Sequence, residues 1–569
     1  MSADFQVSGT NASALFTLKA HRGEGMLLLG MDWKTATPTD DFVGFAIDYK
    51  EPDGDRFFPL KNRLCFPGVG GSVNPQTLAT TLSPIQKFRW VHFPRNADLD
   101  GDFVYRVSPV FMNEHGELSS GDAQEVAIEL RRETYPGVLN VAFTRGFVAS
   151  QAFIDRFASP GAPMSTLLPG KADDGLTFTA THPKKDDALP WMGFEARSAV
   201  LEILDQAIAD GAAKVGVVAF ELNEPEVLSR LEQLGSRVRV ILDDSGKKNE
   251  AESAESQAEV RLVASAGRAN VKRQHMGSLQ HNKMVIVDGP QTKTALFGST
   301  NFSWRGFFVQ SNNAMIVHGA SVVRSAAKAF EGYWQHNDVA GFGKSGATGL
   351  VDLGLAGIDA HVAFSPHTSK DALLKKIGDD IGTATSSVLY SMAFLAQTSG
   401  AVRDALKKVT EDPAIFVYGI ADREVGGIEL QTPDANKPPT HPARLDKHVP
   451  EPFKSEESGG GGVRLHHKFV VIDFDKPTAR VYLGSYNFSD PADRKNGENL
   501  VLVKDRRIAV AYAVEALRIF DHYHFRAIQE EAGSPEALTL AKPPVGDEKP
   551  WWDSYYSDPQ RARDREIFA

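Results

Sequence analysis

Apolar and polar positions alternate in pairs along the first stretch of the chain. Phe45-Ala46-Ile47-Asp48-Tyr49, Phe88-Arg89-Trp90-Val91-His92-Phe93 and Val104-Tyr105-Arg106-Val107 have the period of two expected of strands with one buried face. Clusters of Gly, Pro and Asp separate them, and few helical patterns intervene. From about residue 136 the pattern changes to alternating helices and strands. Ala196 to Leu204 is amphipathic at helical spacing, Lys214 to Phe220 reads as a buried strand, Glu224 to Leu234 as a helix and Val238 to Leu242 as a strand. The plan then recurs: a helix opening at Leu373 to Ile377, a strand over Ser387 to Ala393, a helix over Val402 to Val409 and a strand over Ala414 to Gly419.

This patterning predicts three parts. Residues 1–135 form an antiparallel β-sandwich of the immunoglobulin or fibronectin III-like kind, and residues 136–345 and 346–569 form two similar α/β halves. Each half carries a polar insertion ahead of its most apolar strand, Asp243 to Glu259 in the first and Gln431 to Gly462 in the second. Such insertions either shape a substrate entrance or lie on the surface. The C-terminal stretch adds Trp551, Trp552, Tyr555 and Tyr556, which are expected to pack back on the body, with peripheral contact to a lipid surface as the alternative.

Composition narrows the classes. The 569 residues are 42% hydrophobic and 24% charged, as in a globular chain with about two to four domains' worth of core. No basic and apolar leader opens the chain, and no run approaches a membrane span, so a cytoplasmic protein or one secreted by a signal-independent route is expected. A single cysteine, Cys65, excludes an intrachain disulfide. The net charge of −11 offers no general attraction for polyanions. Locally, Arg261, Arg268, Lys272, Arg273 and His275 precede the first apolar motif strand and could line a positive mouth or a solvated loop.

Candidate chemistry lies in a repeated set of polar residues. His281 and Lys283 start the run Met284-Val285-Ile286-Val287, with Asp288 after it and Gly298, Ser299 and Asn301 about ten residues on. His466 and Lys468 start Phe469-Val470-Val471-Ile472, with Asp473, Gly484, Ser485 and Asn487 following. The two copies lie 185 residues apart, a domain-sized duplication. On a strand, His281 shares a face with Lys283, and His466 with Lys468, whereas Asp288 and Asp473 fall on the opposite face and read as supports. Ser and Asn of each later segment are two apart, and the preceding glycine permits close backbone approach.

Two imidazoles, two amines and two amides around one pocket suit attack on a phosphodiester. A neutral imidazole can attack phosphorus and form a phosphohistidine, and a protonated one can donate to the leaving oxygen. Lys283, Lys468, Asn301 and Asn487 would steady the charge on the non-bridging oxygens. This chemistry requires no metal and no cofactor. A structural zinc is not expected from adjacent His466 and His467, because no Cys-x2-Cys or His-x3-His spacing accompanies them. His467 reads as a partly exposed neighbour without a role.

The duplicated H-x-K-x4-D pattern with G-S-x-N after it resembles the phospholipase D superfamily, built from two α/β halves that share one active site. The resemblance implies that His281 is the nucleophile and His466 the general acid. It also implies a later acidic position, met in the second copy by Glu498, fourteen residues after Gly484, and replaced by Asn312 at the same offset in the first. If Glu498 lies beside His466, its carboxylate favours the charged acid. The expected function is a phosphodiesterase acting on phospholipid in preference to nucleic acid. An endonuclease and a non-catalytic module that captures phosphate ligands are the alternatives.

Overall fold

The computed structural model describes residues 5–62, 64–67, 78–130, 133–146, 153, 156–370, 372–395, 398, 400–421, 465–531 and 539–569. The insertion Gln431 to Gly462 lies outside them. Two antiparallel sheets open the chain. One orders the strands Gln6–Ser8, Phe16–Arg22, Leu27–Trp33 and Arg89–His92. The other is built on Phe42–Lys50 and Asp102–Met112. Phe16, Phe42, Phe45, Phe88 and Tyr105 fill the space between them, which is what the alternating pattern requires of strands with one apolar face.

Two seven-stranded mixed sheets follow, and their central strands run in matching order. In the first, Leu139–Phe143, Asn313–His318, Lys293–Gly298, Lys283–Asp288, Lys214–Ala219 and Val238–Asp243 lie side by side, with Val271–Gln274 at the edge. In the second, Asp359–Ser365, Glu498–Lys504, Arg480–Gly484, Lys468–Ile472, Ser387–Met392 and Phe416–Ala421 repeat the order, with Val351–Asp352 at the opposite edge. Each motif strand is therefore central, flanked on both sides and fully buried apart from Asp288. Central placement explains why these runs are continuously apolar rather than alternating.

The halves face each other across one core that includes Met284, Phe297 and Met315 from the first and Phe364, Phe469 and Leu483 from the second. Backbone bonds also cross the junction. Gly277 N donates to Lys495 O and Gly497 N to Leu279 O, both at 2.9 Å, while His466 N donates to Ser311 O at 3.1 Å. The hairpin at Met26 and Leu28 of the N-terminal sheet enters the same core.

The first polar insertion is not a loop. It contains a helix, Ala254–Ala266, capped by the Ser253 hydroxyl, which accepts from Ser256 N. Its buried apolar face is mostly alanine, with Leu262 as the one large apolar residue, so the apolar stripe is too thin to register as a helical pattern. The basic residues near it are all paired. Arg261 pairs with Glu232 through two bonds of 2.7 Å, Arg268 and Arg273 pair with Glu259, Lys272 donates to the carbonyls of Tyr333 and Trp334, and His275 pairs with Asp244.

The aromatic C-terminal stretch packs on the N-terminal sandwich. Trp551 stacks on Phe88 at 5.4 Å and donates to Phe42 O, and Tyr555 and Tyr556 meet the same Phe88 ring. The last helix, Pro559–Phe568, ties the sandwich to the second half. Arg89 binds Asp564 of this helix at 2.7 Å and Asp521 of the long helix Arg506–Glu531 at 2.6 Å. Phe568 is fully buried, with its ring 5.2 Å from Phe474 and 5.7 Å from Phe416. Truncating it leaves a cavity at this three-way junction, so Phe568→Ala is expected to cost about 3 to 5 kcal/mol. Urea unfolding checks this; a loss of less than about 1 kcal/mol would show that the tail is not part of the cooperative unit.

Candidate active site

His281 and His466 each lie just ahead of a central strand, and the facing of the two sheets brings their rings together with centroids 6.3 Å apart. Both side chains are almost wholly buried. His281 Nδ1 lies 2.8 Å from Glu498 Oε2, and His466 Nδ1 lies 2.8 Å from Asn312 Oδ1. The carboxylate and the amide oxygen both accept, so each ring carries its proton on Nδ1. Each Nε2 is left without a hydrogen-bond partner among the described residues.

The bracing is crossed. Glu498 belongs to the second half and holds the first half's histidine, while Asn312 of the first half holds the second half's. This overturns the expectation that Glu498 lies beside His466. Glycine starts both segments because the backbone passes too close for a side chain: a Cβ at Gly298 would stand 2.4 Å from Asn313 O, and one at Gly484 2.3 Å from Asn499 O. Both glycines also have φ in the left-handed range, at 136° and 144°.

The two serines stand behind these partners instead of facing the gap. Ser299 Oγ donates to Asn312 Oδ1 at 2.9 Å and accepts from Asn313 N at 3.0 Å. Ser485 Oγ donates to Glu498 Oε2 at 2.7 Å and accepts from Asn499 N at 3.0 Å. Asn312 Nδ2 donates to Gly306 O at 2.9 Å, which settles which way its amide points. Lys283 and Lys468 are fully buried and donate to the carbonyls of His281 and His466. Asn301 is buried and Asn487 half-buried, and the Oδ1 of each has no hydrogen-bond partner among the described residues.

The motif aspartates differ in fate. Asp473 is buried and accepts from the backbone of Thr385, Ser386 and Ser387, bracing the strand beside the motif strand. Asp288 is exposed and pairs with Lys293 across a hairpin. Its bracing is confined to that hairpin, at the end of the strand away from His281, because the strand runs out of the core there.

Electrostatics follow from burial. Burial pulls His281 down to about 4, opposed by the Glu498 carboxylate and helped by Lys283. Burial also holds His466 well below the usual histidine range, with Lys468 and Lys283 adding to the effect. Lys283 falls to about 7, again through burial, against the upward pull of Glu498 and Glu221. A site that desolvates this many cations gains most from an arriving anion, which restores the charged forms.

Several residues at the site escaped the pattern. Phe220 packs its ring 4.6 Å from His281 and lies under Lys283 Nζ at 4.6 Å, and Phe394 lies under Lys468 Nζ at 5.7 Å. Lys248, from the first polar insertion, covers Phe220 at 3.9 Å. Asn499 Nδ2 donates to Asn282 Oδ1 at 2.7 Å, and Asn313 Nδ2 lies 3.3 Å from His467 Nδ1. The signal for that last pair was present: Asn312-Asn313 and Glu498-Asn499 stand at the same offset in both copies. His467 is fully buried, not a partly exposed neighbour. Among the described residues no group of three His, Cys, Asp or Glu side chains is arranged to hold a metal ion, and no helix is long and apolar enough to cross a membrane.

Comparison with known proteins places this geometry. The family model described as "Cardiolipin synthase, PLD-like domain" matches residues 204–334 and 377–520, one segment for each motif copy. A protein named phospholipase D from Rickettsia prowazekii (strain Madrid E) is 43% identical over 47 residues, covering 8% of this chain and 21% of the relative. Its namesake from Rickettsia felis is 40% identical over 47 residues, 8% of this chain and 22% of the relative. The chain thus spans about a fifth of the length of these curated relatives. Among solved structures, phosphatidylserine synthase from Haemophilus influenzae Rd KW20 aligns with a TM-score of 0.40 at 13% identity, over 59% of this chain and 85% of that one. Nuc from Salmonella typhimurium aligns with a TM-score of 0.20 at 22% identity, over 25% and 87%. With the motif duplicated, each copy on the central strand of its own sheet and each inside a matched segment, the chain belongs to the phospholipase D superfamily.

Proposed function

We propose that the protein is a metal-independent phosphodiesterase that works through a covalent phosphohistidine and acts on a phospholipid. The observation that carries this reading is the pair of opposed imidazoles, each fixed by an acceptor on Nδ1, with Nε2 without a hydrogen-bond partner among the described residues. His281 Nε2 attacks phosphorus, the bond to the leaving oxygen breaks, and His466, which takes up a second proton on Nε2 when the anionic diester binds, gives that oxygen this proton. Neutral His466 then takes a proton from water, whose oxygen attacks phosphorus and breaks the P–N bond. The products are a phosphomonoester and an alcohol.

Glu498 favours His281 as the nucleophile. A ring that forms a bond to phosphorus becomes positive, and a carboxylate on its Nδ1–H steadies that charge more than an amide does. His466, held by the neutral Asn312, binds a proton less tightly and gives it up more readily. The role assignment is that of the sequence reading, but its physical reason is reversed, since Glu498 serves the nucleophile. Lys283, Lys468, Asn301 and Asn487 would receive the non-bridging oxygens. Phospholipid as substrate is supported by the matched family's description, by the names of the Rickettsia relatives and by the net charge of −11.

The test is a substrate screen. Vesicles with choline or ethanolamine head groups should release head group, in EDTA as in its absence, while single- and double-stranded DNA should stay intact. Cleavage of DNA alone would replace the lipid reading with an endonuclease. An order-of-magnitude loss in EDTA on a soluble diester, restored by a divalent ion, would contradict metal independence.

The two histidines should fail differently. His466→Ala, given a diester with a nitrophenolate leaving group, should accumulate a phosphoryl adduct on His281 visible by mass spectrometry, because that leaving group departs without a proton. His281→Ala should accumulate none. An adduct on His466, in the wild type or in His281→Ala, would exchange the roles.

The pH profile separates the braces. His281 attacks only when neutral, so kcat/KM on a soluble diester should show a limb near pH 4, where this ring titrates. The Glu498 carboxylate raises that value, so Glu498→Gln should move this limb to lower pH and lower the maximum by about 10-fold or more. A limb near pH 4 that stays in place would mean that Glu498 does not tune His281.

A further inference from the structure

The second motif copy has an imidazole where the first has an amide: His281-Asn282-Lys283 against His466-His467-Lys468. In the first copy the middle residue makes a short amide pair, Asn499 Nδ2 to Asn282 Oδ1 at 2.7 Å. In the second it opens a longer network. His467 Nδ1 accepts from Asn313 Nδ2 at 3.3 Å, and its Nε2–H donates to Glu515 Oε1 at 2.9 Å. Both His467 and Glu515 are fully buried. Glu515 also accepts from Arg518 Nε at 2.6 Å, and the Arg518 Nη groups donate to Arg145 O at 3.1 Å and Thr144 O at 3.4 Å.

Both arms of this network end on one residue. On the first arm, Asn313 follows Asn312 directly, and its carbonyl accepts from Ser299 N at 3.0 Å. On the second, Thr144 Oγ1 accepts from Asn312 N at 2.9 Å and donates to Gln310 O at 2.6 Å, while Thr144 N donates to Asn312 O at 3.0 Å. Asn312 is the residue whose Oδ1 holds His466 Nδ1. A neutral amide grips an imidazole about half as strongly as a carboxylate does. Its backbone therefore needs firmer support than that of Glu498 on the other side.

We infer that His467 is a positioning residue which, through Glu515 and Arg518 on one arm and Asn313 on the other, fixes Asn312 and so aims the proton of His466 at the leaving oxygen. This rests on the reading of His466 as the general acid. The network spans three parts of the chain: the strand Leu139–Phe143 with the residues just after it, the second motif, and the long helix Arg506–Glu531. A displacement of an acid by a fraction of an ångström is enough to cost rate, because proton transfer needs hydrogen-bond distance in the transition state.

The test compares two soluble diesters, one with nitrophenolate and one with alkoxide leaving groups. An aimed acid matters only for the second. His467→Ala should lower kcat on the alkoxide substrate by about 10-fold or more and on the nitrophenolate substrate by less than about 3-fold, with each KM little changed. His467→Asn recreates the amide pair of the first copy and should recover the alkoxide rate to within about 3-fold of wild type. Equal losses on both diesters in His467→Ala, or no recovery in His467→Asn, would overturn the inference. If His467→Ala does not fold, Arg518→Lys takes its place. Lysine cannot span both carbonyls, so the same selective loss is expected, and a uniform loss or none overturns the inference. A readout without turnover is the ¹⁵N spectrum of labelled histidine, in which wild-type His466 should be the Nδ1–H tautomer and the His467→Ala or Arg518→Lys protein a mixture. An unchanged tautomer would overturn the aiming role even in an active enzyme. A wild-type protein that cleaves neither diester, with a His466 tautomer that still changes in the variants, would instead overturn the phosphodiesterase reading and leave the positioning network standing.

Discussion

Everything at this site depends on a crossed pair of hydrogen bonds between the halves, His281 to Glu498 and His466 to Asn312. Neither half alone can set the tautomer and direction of its own imidazole, because the acceptor comes from the other. The proposed chemistry therefore requires that the two sheets not slide against each other, and the rest of the molecule meets that demand. Backbone bonds join 277 to 495 and 279 to 497, Tyr333 of the first half donates to Ser365 O at 2.6 Å, and the Arg89 cluster anchors the N-terminal sandwich and the tail to the second half. Reacting groups must be held to within a few tenths of an ångström for an oriented displacement.

Geometric symmetry coexists with electrical asymmetry. Ser299 and Ser485, Asn313 and Asn499, and Lys283 and Lys468 occupy matching places, so the duplication supplies two equivalent cradles. A single difference at the fourteenth position, Asn312 against Glu498, makes the two imidazoles unequal. Since one pKa unit corresponds to about 1.4 kcal/mol, even a modest upward pull by one carboxylate in a buried site separates two otherwise similar rings into different roles.

Much of this was legible from residue order. Period-two alternation located the sandwich, continuous apolar runs located the central strands, and the repeated set of polar residues named His281, Lys283, His466 and Lys468, all of which the fold brings together. What spacing could not convey was contact across the junction. Strand alternation says which side chains share a face, not which half supplies the residue opposite, so Glu498 was placed beside the wrong histidine. The same gap hid the contacts of the serines, whose hydroxyls turn toward Asn312 and Glu498, and of His467, whose partner Glu515 lies 48 residues away on a helix. Asp288 and Asp473 occupy equal motif positions, yet only the second is roofed over by neighbouring backbone. The helix Ala254–Ala266 was missed because alanine carries too little apolar contrast to mark a buried face.

The charge layout bears on substrate class through the same logic of pairing. A long polyanion binds by laying successive phosphates on unpaired surface cations and releasing counterions. Here the basic residues that precede the first motif are spent on Glu232, Glu259, Asp244 and backbone carbonyls. The lysines of the candidate site, Lys283 and Lys468, are instead fully buried. Such an arrangement rewards a single phosphodiester that enters the site over a track of them. A lipid head group presents one phosphodiester in that way, and this is the physical ground for proposing phospholipid over nucleic acid.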